Sequence, residues 1–174
     1  MASAFSHAAS ALALTSVFAP GGLRARFYAL AILLSILPDF DVISFRLGIA
    51  YENPYGHRGF THSIFFSILL AFMISWLLRK HIANGAWLRL AFCFSLVIAS
   101  HGFLDALTNG GKGIAFFWPF DNGRYFLPWR VIQVSPVTIH QFFSEWGRRV
   151  IINETGYIIL PSLCIFGAAV FIRP

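Results

Sequence analysis

Five apolar runs dominate this chain, at residues 3–18, 27–37, 62–78, 88–107 and 156–172, and they leave very few kinds of fold open to it. Runs of this length read as membrane helices, because about 20 apolar residues at helical rise span a bilayer core. A mean hydropathy of +0.70, with 57% hydrophobic and only 11% charged residues, marks an integral membrane protein. The expected fold is all-α: one membrane-embedded domain over residues 1–174, a polytopic bundle of about five membrane helices with an amphipathic helix at the interface. Within it, residues 1–120 carry the polar motifs, and residues 121–174 supply an interfacial segment and the last membrane helix.

The first run ends at Pro20-Gly21-Gly22. Val17-Phe18-Ala19 looks like a signal-peptide cleavage site, but the positive charges Arg24 and Arg26 follow the run instead of preceding it. A retained first helix with its N-terminus outside is expected. The second run, 27–37, spans only about 16 Å at helical rise, too short to cross alone. It meets Pro38-Asp39-Phe40-Asp41 and resumes at Val42-Ile43-Ser44-Phe45. Either the helix ends at Pro38 near the surface, or it kinks there and carries two carboxylates at membrane depth, which is costly unless they are paired or metal-bound. Gly48, Asn53-Pro54 and Gly56 mark a loop, and Asn84-Gly85 a short turn. Thr61 is expected to cap the helix that follows it. Residues 108–136 read as irregular interfacial structure with Trp118 and Trp129 as anchors. Ile139, Phe142, Phe143, Trp146 and Val150 then recur at helical spacing opposite His140, Gln141, Glu145 and Arg148, the pattern of an amphipathic helix lying on the membrane. Cys93 and Cys164 both fall inside apolar runs and read as core or lipid-facing thiols.

Threading the runs back and forth sorts the charges. One side receives Arg24, Arg26, Arg79, Lys80, Arg89 and Arg173 and no acidic residue. The other receives Asp39, Asp41, Glu52, Asp105, Asp121, Glu145 and Glu154, with His7, His57, His62, His101 and His140; His81 stays in a basic turn. Short basic loops make the first side cytoplasmic and turn the acidic, histidine-bearing side outward from an inner membrane, although Arg148 and Arg149 run against the rule. The net charge of +6 raises the question of nucleic acid. The basic residues are scattered singly or in pairs and form no stripe, so lipid headgroups are the expected partners and no nucleic acid.

Separate helix ends thus bring His7, Asp39 with Asp41, His57 with His62, and His101 with Asp105 to one membrane face. His101 and Asp105 stand four residues apart and share a helix face. Nitrogen and oxygen donors without cysteine suit Zn²⁺ or another first-row divalent ion, and more than four ligands allow more than one metal. Such an ion makes water acidic near neutral pH and polarises phosphoryl or carbonyl oxygens. Arg58 is suited to holding an anionic group such as a phosphate. Each feature also has a plainer reading: His7 as an interfacial polar residue, Asp39 as a helix terminator, His101 with Asp105 as an interhelical hydrogen bond, and Arg58 as a headgroup contact.

The ordered set Pro38-Asp39-Phe40-Asp41, His57-Arg58-Gly59-Phe60-Thr61-His62-Ser63, His101-Gly102-Phe103-Leu104-Asp105 with Thr108-Asn109-Gly110-Gly111, and Trp118-Pro119-Phe120 resembles the YdjM-type family of inner-membrane metal-dependent hydrolases. The resemblance covers roughly residues 1–120. In motif logic that family is similar to the zinc-dependent phospholipase C and single-strand nuclease group. The resemblance implies metal ligation by His7, Asp39, His62, His101 and Asp105, with Asp41 and His57 as further ligands. Asp41 and Arg58 are the candidate catalytic residues, Arg58 through its hold on an anionic group. The soluble enzymes present additional ligands from a Glu-containing motif not found in this chain. It follows that the expected function is a membrane-bound hydrolase dependent on a divalent metal, with zinc the expected ion, acting on a phosphoester or lipid-like substrate at the outer face. The alternatives are a transport or ion-handling protein with a polar His/Asp cluster, and a scaffold stabilised by metal.

Overall fold

The computed structural model describes residues 1–22, 24–83 and 85–172, Ile139 by its backbone alone. Asn84 of the expected turn and Arg173 of the basic side lie outside the described residues. The chain is all-helical: α1 Ala4–Phe18, α2 Ala25–Ile36, α3 Ile43–Arg46, α4 Ile64–Leu77, α5 Trp87–Ala106, α6 Ile139–Phe142, α7 Glu145–Glu154 and α8 Leu160–Ile172. Among the described residues the only β features are the isolated bridges Thr108–Ile132 and Ile114–Tyr125. Three helical segments are long and apolar enough to cross a membrane, Ala25–Arg46, Trp87–Ala106 and Glu145–Ile172, and the shorter apolar α1 and α4 pack among them.

α1 is the centre of the bundle and packs against α2, α5 and α8. Its buried positions are mostly small, with Ser6, Ala9, Ser10, Ala11 and Ala13 among them, which lets three neighbours approach closely where burial of large side chains would hold them apart. α4 packs on the other side of α5. The apolar core between them is built from Phe27, Ala31, Leu34, Ala71, Leu90, Phe94, Val97 and Ile98. Outward-facing Leu163, Ile165, Val170 and Phe171 on α8 are exposed, as a surface facing lipid requires. Cys93 is buried in the core and Cys164 lies on the exposed face of α8.

Pro38 does not end the second helix. The chain tightens into a 3₁₀ helix over Leu37–Val42, with Pro38 in its first turn, and passes directly into α3. A proline at the start of a helical segment forfeits no bond that segment needs, so the helix continues and takes both carboxylates with it. At three residues per turn, Asp39 and Asp41 project in different directions. α4 begins after Ser63, whose hydroxyl accepts from the Phe66 N–H at 3.0 Å. Thr61 is therefore not the cap; its hydroxyl donates to Asp41 Oδ2 at 2.7 Å.

The amphipathic segment is shorter than the sequence pattern suggested. The chain breaks at Phe143 and Ser144, where the Ser144 hydroxyl accepts from the Trp146 N–H at 3.2 Å, and α7 starts afresh. α7 then runs through a π-helical turn, Thr155–Ile159, straight into α8. Gly147, Val150, Glu154, Ile158 and Ser162 form its buried stripe, while Phe143 is left exposed. At one end of the bundle Arg24, Arg26, Lys80 and His81 line a cavity of about 430 Å³. The Arg89 guanidinium donates to the Phe18 carbonyl at 3.1 Å at that end. His7, His57, His62, His101 and the buried carboxylates gather at the other, with Arg58 among them.

Candidate metal centre

Four side chains from two helical segments and the turn before α4 converge: Asp39, His62, His101 and Asp105, all buried, each offering a ligand atom within 4.8 Å of the others. His101 Nε2 lies 3.2 Å from Asp39 Oδ1 and 3.1 Å from His62 Nε2. His62 Nε2 lies 3.9 Å from Asp39 Oδ1 and 3.9 Å from Asp105 Oδ2. Donors about 2.0–2.1 Å from a tetrahedral ion stand about 3.3 Å apart, so these spacings are those of a ligand shell.

The outer nitrogens fix which atoms face inward. His101 Nδ1 donates to the Ser35 carbonyl at 2.7 Å, and His62 Nδ1 lies 3.1 Å from Asp41 Oδ2. Both rings therefore present Nε2 to the centre, as metal-ligating histidines held by a carbonyl or carboxylate do. Two such nitrogens at 3.1 Å repel each other unless a proton or cation lies between them. Both carboxylate oxygens of Asp39 and Oδ2 of Asp105 accept no hydrogen bond although buried. Buried polar atoms left unpartnered are costly, and their convergence on one point fits a cation.

The remaining predicted residues surround this group. His7 on α1 is fully buried, stacked on His101 with ring centroids 3.8 Å apart, and its Nε2 lies 3.5 Å from Asp105 Oδ1. Neither of its ring nitrogens has a hydrogen-bond partner. His57 does not join the four; its Nδ1 lies 2.5 Å from Asp41 Oδ1. Asp41 gathers His57, His62, the Arg58 N–H at 2.9 Å and the Thr61 hydroxyl, so its oxygens are fully engaged. Arg58 is 1% exposed, with Nε 3.2 Å from Asp105 Oδ2, Nη1 donating to the Gly110 carbonyl at 2.9 Å and Nη2 to the Thr108 hydroxyl at 3.2 Å.

The local backbone explains how Arg58 gets there. Its φ of 62° is left-handed, a conformation costing roughly 1–2 kcal/mol for an L residue, offset here by the bonds its N–H and guanidinium make. Gly59 follows because a Cβ would lie 2.1 Å from the Pro54 carbonyl oxygen. Segment 108–136 folds over this end, and Arg124 ties it down by donating to the carbonyls of His57 at 3.0 Å and Tyr51 at 2.6 Å. Partial burial lowers the Arg124 pKa from its ordinary value.

Glu154 is the residue that motif reading missed. It is fully buried at the N-terminus of α1, where the Ser3 N–H donates to it at 2.7 Å, the Ser6 hydroxyl at 2.8 Å, and the Ser3 hydroxyl as well. A carboxylate at a helix N-terminus is favoured by the helix dipole, and this one seats the first turn of α1, and with it His7. The signal was available: Glu154 falls on the apolar stripe of Val150 and Ile158 at helical spacing. Ser35 was beyond reach, because it acts through its backbone carbonyl.

The sequence profile of the YdjM inner membrane protein family matches residues 1–173. The match takes in the tail beyond residue 120, which carries Glu154 and so belongs to the same structural unit as the motifs. The chain is 38% identical over 136 residues to Inner membrane protein YbcI of Escherichia coli (strain K12), covering 78% of each chain. No solved structure matches.

Proposed function

The chain belongs to the YdjM inner membrane protein family, and from that premise we propose that it is a membrane-bound, metal-dependent hydrolase of phosphoester or lipid-like substrates. The observation that carries the reading is the convergence of Asp39, His62, His101 and Asp105, in which both Asp39 oxygens and Asp105 Oδ2 accept no hydrogen bond and the two imidazoles bring their Nε2 atoms within 3.1 Å of each other. This donor set suits zinc, which when bound supplies Lewis acidity toward a phosphoryl or carbonyl oxygen and makes water acidic near neutral pH.

The chain's own residues do the rest. Asp41 and the Ser35 carbonyl hold His62 and His101 in the tautomer and orientation that leave Nε2 free. Asp41 has no acceptor to spare, so it is a positioning residue. Arg58 balances the charge of Asp105 from within the protein; its guanidinium favours an anionic substrate through the field of the site and does not grip it directly. His7, stacked on His101 with both nitrogens unpartnered, is placed to ligate or to move a proton at Nε2. The basic end of the bundle is cytoplasmic by the charge rule, which turns the cluster outward. A transport pathway gains no support, since the core beyond the cluster is closed by Leu90, Phe94, Val97 and Ile98.

The test is metal content per chain in detergent for wild type, His101→Ala and Asp105→Ala, followed by phosphodiester and phospholipid cleavage with and without chelator. Stoichiometric zinc that is lost in both folded variants, with chelator-sensitive turnover, is the expected result. A wild type that takes up no metal on reconstitution, or turnover indifferent to chelator, refutes the reading.

A further inference from the structure

Asp39 is not sealed on all sides. It lies at the inner end of a groove of about 390 Å³ lined by Ile36, Phe40, Val42, Ile43 and Arg46, a volume within the range of small-molecule sites. The groove runs along the outside of the membrane-crossing segment Ala25–Arg46, where the surrounding solvent is lipid. Its walls are apolar and open, with Phe40 74% and Ile43 57% exposed. Its two ends are polar. At one, Asp39 is 8% exposed and neither carboxylate oxygen accepts a hydrogen bond. At the other, Arg46 is exposed and makes no hydrogen bond or ion pair among the described residues.

We infer that this groove seats one acyl chain of an anionic phospholipid, with Arg46 holding the headgroup and the chain's first carbons leading past Asp39. Arg46 ends the helix on the side of the cluster, where a long basic side chain reaches headgroup level while its stem stays in apolar surroundings. Asp39 lies seven residues deeper, about 10 Å along the helix. A phospholipid held at Arg46 therefore presents the junction of headgroup and chain, and not the chain's end, toward the cluster. Another apolar recess, between Val17, Ile165 and Ala169, has no charged or polar side chain in its lining, and any lipid fits it equally. The inference rests on the hydrolase reading for what becomes of the lipid, but not for its binding.

The experiment uses the full chain in nanodiscs of phosphatidylglycerol or of phosphatidylcholine, each with a trace of the same lipid bearing a photoactivatable diazirine near the carboxyl end of one chain. Labelled peptides are identified by mass spectrometry, and metal content is measured on the same samples. Label from phosphatidylglycerol concentrates at residues 36–43 over residues 165–172, and exceeds that from phosphatidylcholine by about fivefold, one arginine at the surface being worth about 1 kcal/mol against an anionic lipid. Arg46→Gln removes the headgroup preference, and Ile43→Trp, which fills the groove, removes the label, with metal content unchanged in both. Equal labelling of the two regions in wild type, or labelling indifferent to headgroup, overturns the inference without recourse to a variant. Groove labelling with no turnover of lipid or soluble phosphodiester refutes the hydrolase reading and leaves the groove; turnover of soluble phosphodiesters with no groove labelling does the reverse.

Discussion

Gly102→Ala tests whether the cluster's geometry is set by the contact between α5 and the turn before α4. A Cβ on Gly102 would lie 2.9 Å from the His62 carbonyl oxygen, and the two must separate by about 0.5 Å to reach ordinary contact at 3.4 Å. Phe116 Cε1 and Ile114 Cγ2 stand 3.4 and 3.5 Å from the same Cβ, so it meets three neighbours at once. The displacement falls on the residue whose imidazole is a proposed ligand, and it exceeds the roughly 0.2 Å tolerance of a metal–ligand distance. Loss of ligand placement of this kind weakens metal binding about 10–100-fold, or roughly 1.4–2.7 kcal/mol. Zinc affinity measured by competition with a chromophoric chelator in detergent is the readout. Gly167→Ala is the control, since nothing lies within 4 Å of a Cβ there and affinity should be unchanged. Zinc affinity for Gly102→Ala within about twofold of wild type, in a folded protein, would refute the geometry.

Asp41→Asn removes the acceptor that orients His62 without touching the four converging side chains; zinc affinity should fall about 10–100-fold while circular dichroism stays that of wild type. Glu154→Ala strands the Ser3 N–H and the hydroxyls of Ser3 and Ser6 in a dry site, so the unfolding midpoint in detergent should drop by the equivalent of about 1–3 kcal/mol, and an unchanged midpoint would deny the tail its anchoring role. Protons compete with metal for His62 and His101, so zinc retained after dialysis should decline between about pH 7 and about pH 5, the interval around the ordinary imidazole pKa. Retention that rises on acidification would exclude imidazole ligation.

Much of this protein was readable before its structure. The lengths and order of the apolar runs dictated a helical membrane bundle, because only helices satisfy their own backbone in lipid along a single span. The order of the runs also set Arg24, Arg26 and Lys80 at one end and Asp39, His62, His101 and Asp105 at the other, since a run that crosses the bundle must deliver its flanking residues to opposite ends. Helix boundaries were less legible: Thr61 and Ser63 are both good caps, and the choice fell to Ser63 once Asp41, from another segment, engaged the Thr61 hydroxyl.

What the sequence alone determined is therefore the inventory: helices of membrane length, and a set of histidines and carboxylates delivered to one end of them. Tertiary structure decided the roles within that set. Asp39 and Asp41 are two residues apart and chemically identical, yet one converges with His62, His101 and Asp105 while the other holds His62 from behind. His57 and His62 differ in the same way. Direction of projection, set by a 3₁₀ turn at Pro38 and by the close approach at Gly102, separates a donor facing the centre from one that supports it. Sequence spacing fixes which residues arrive; only the packing of α1, α2 and α5 against one another determines which atoms are left without a partner when they do.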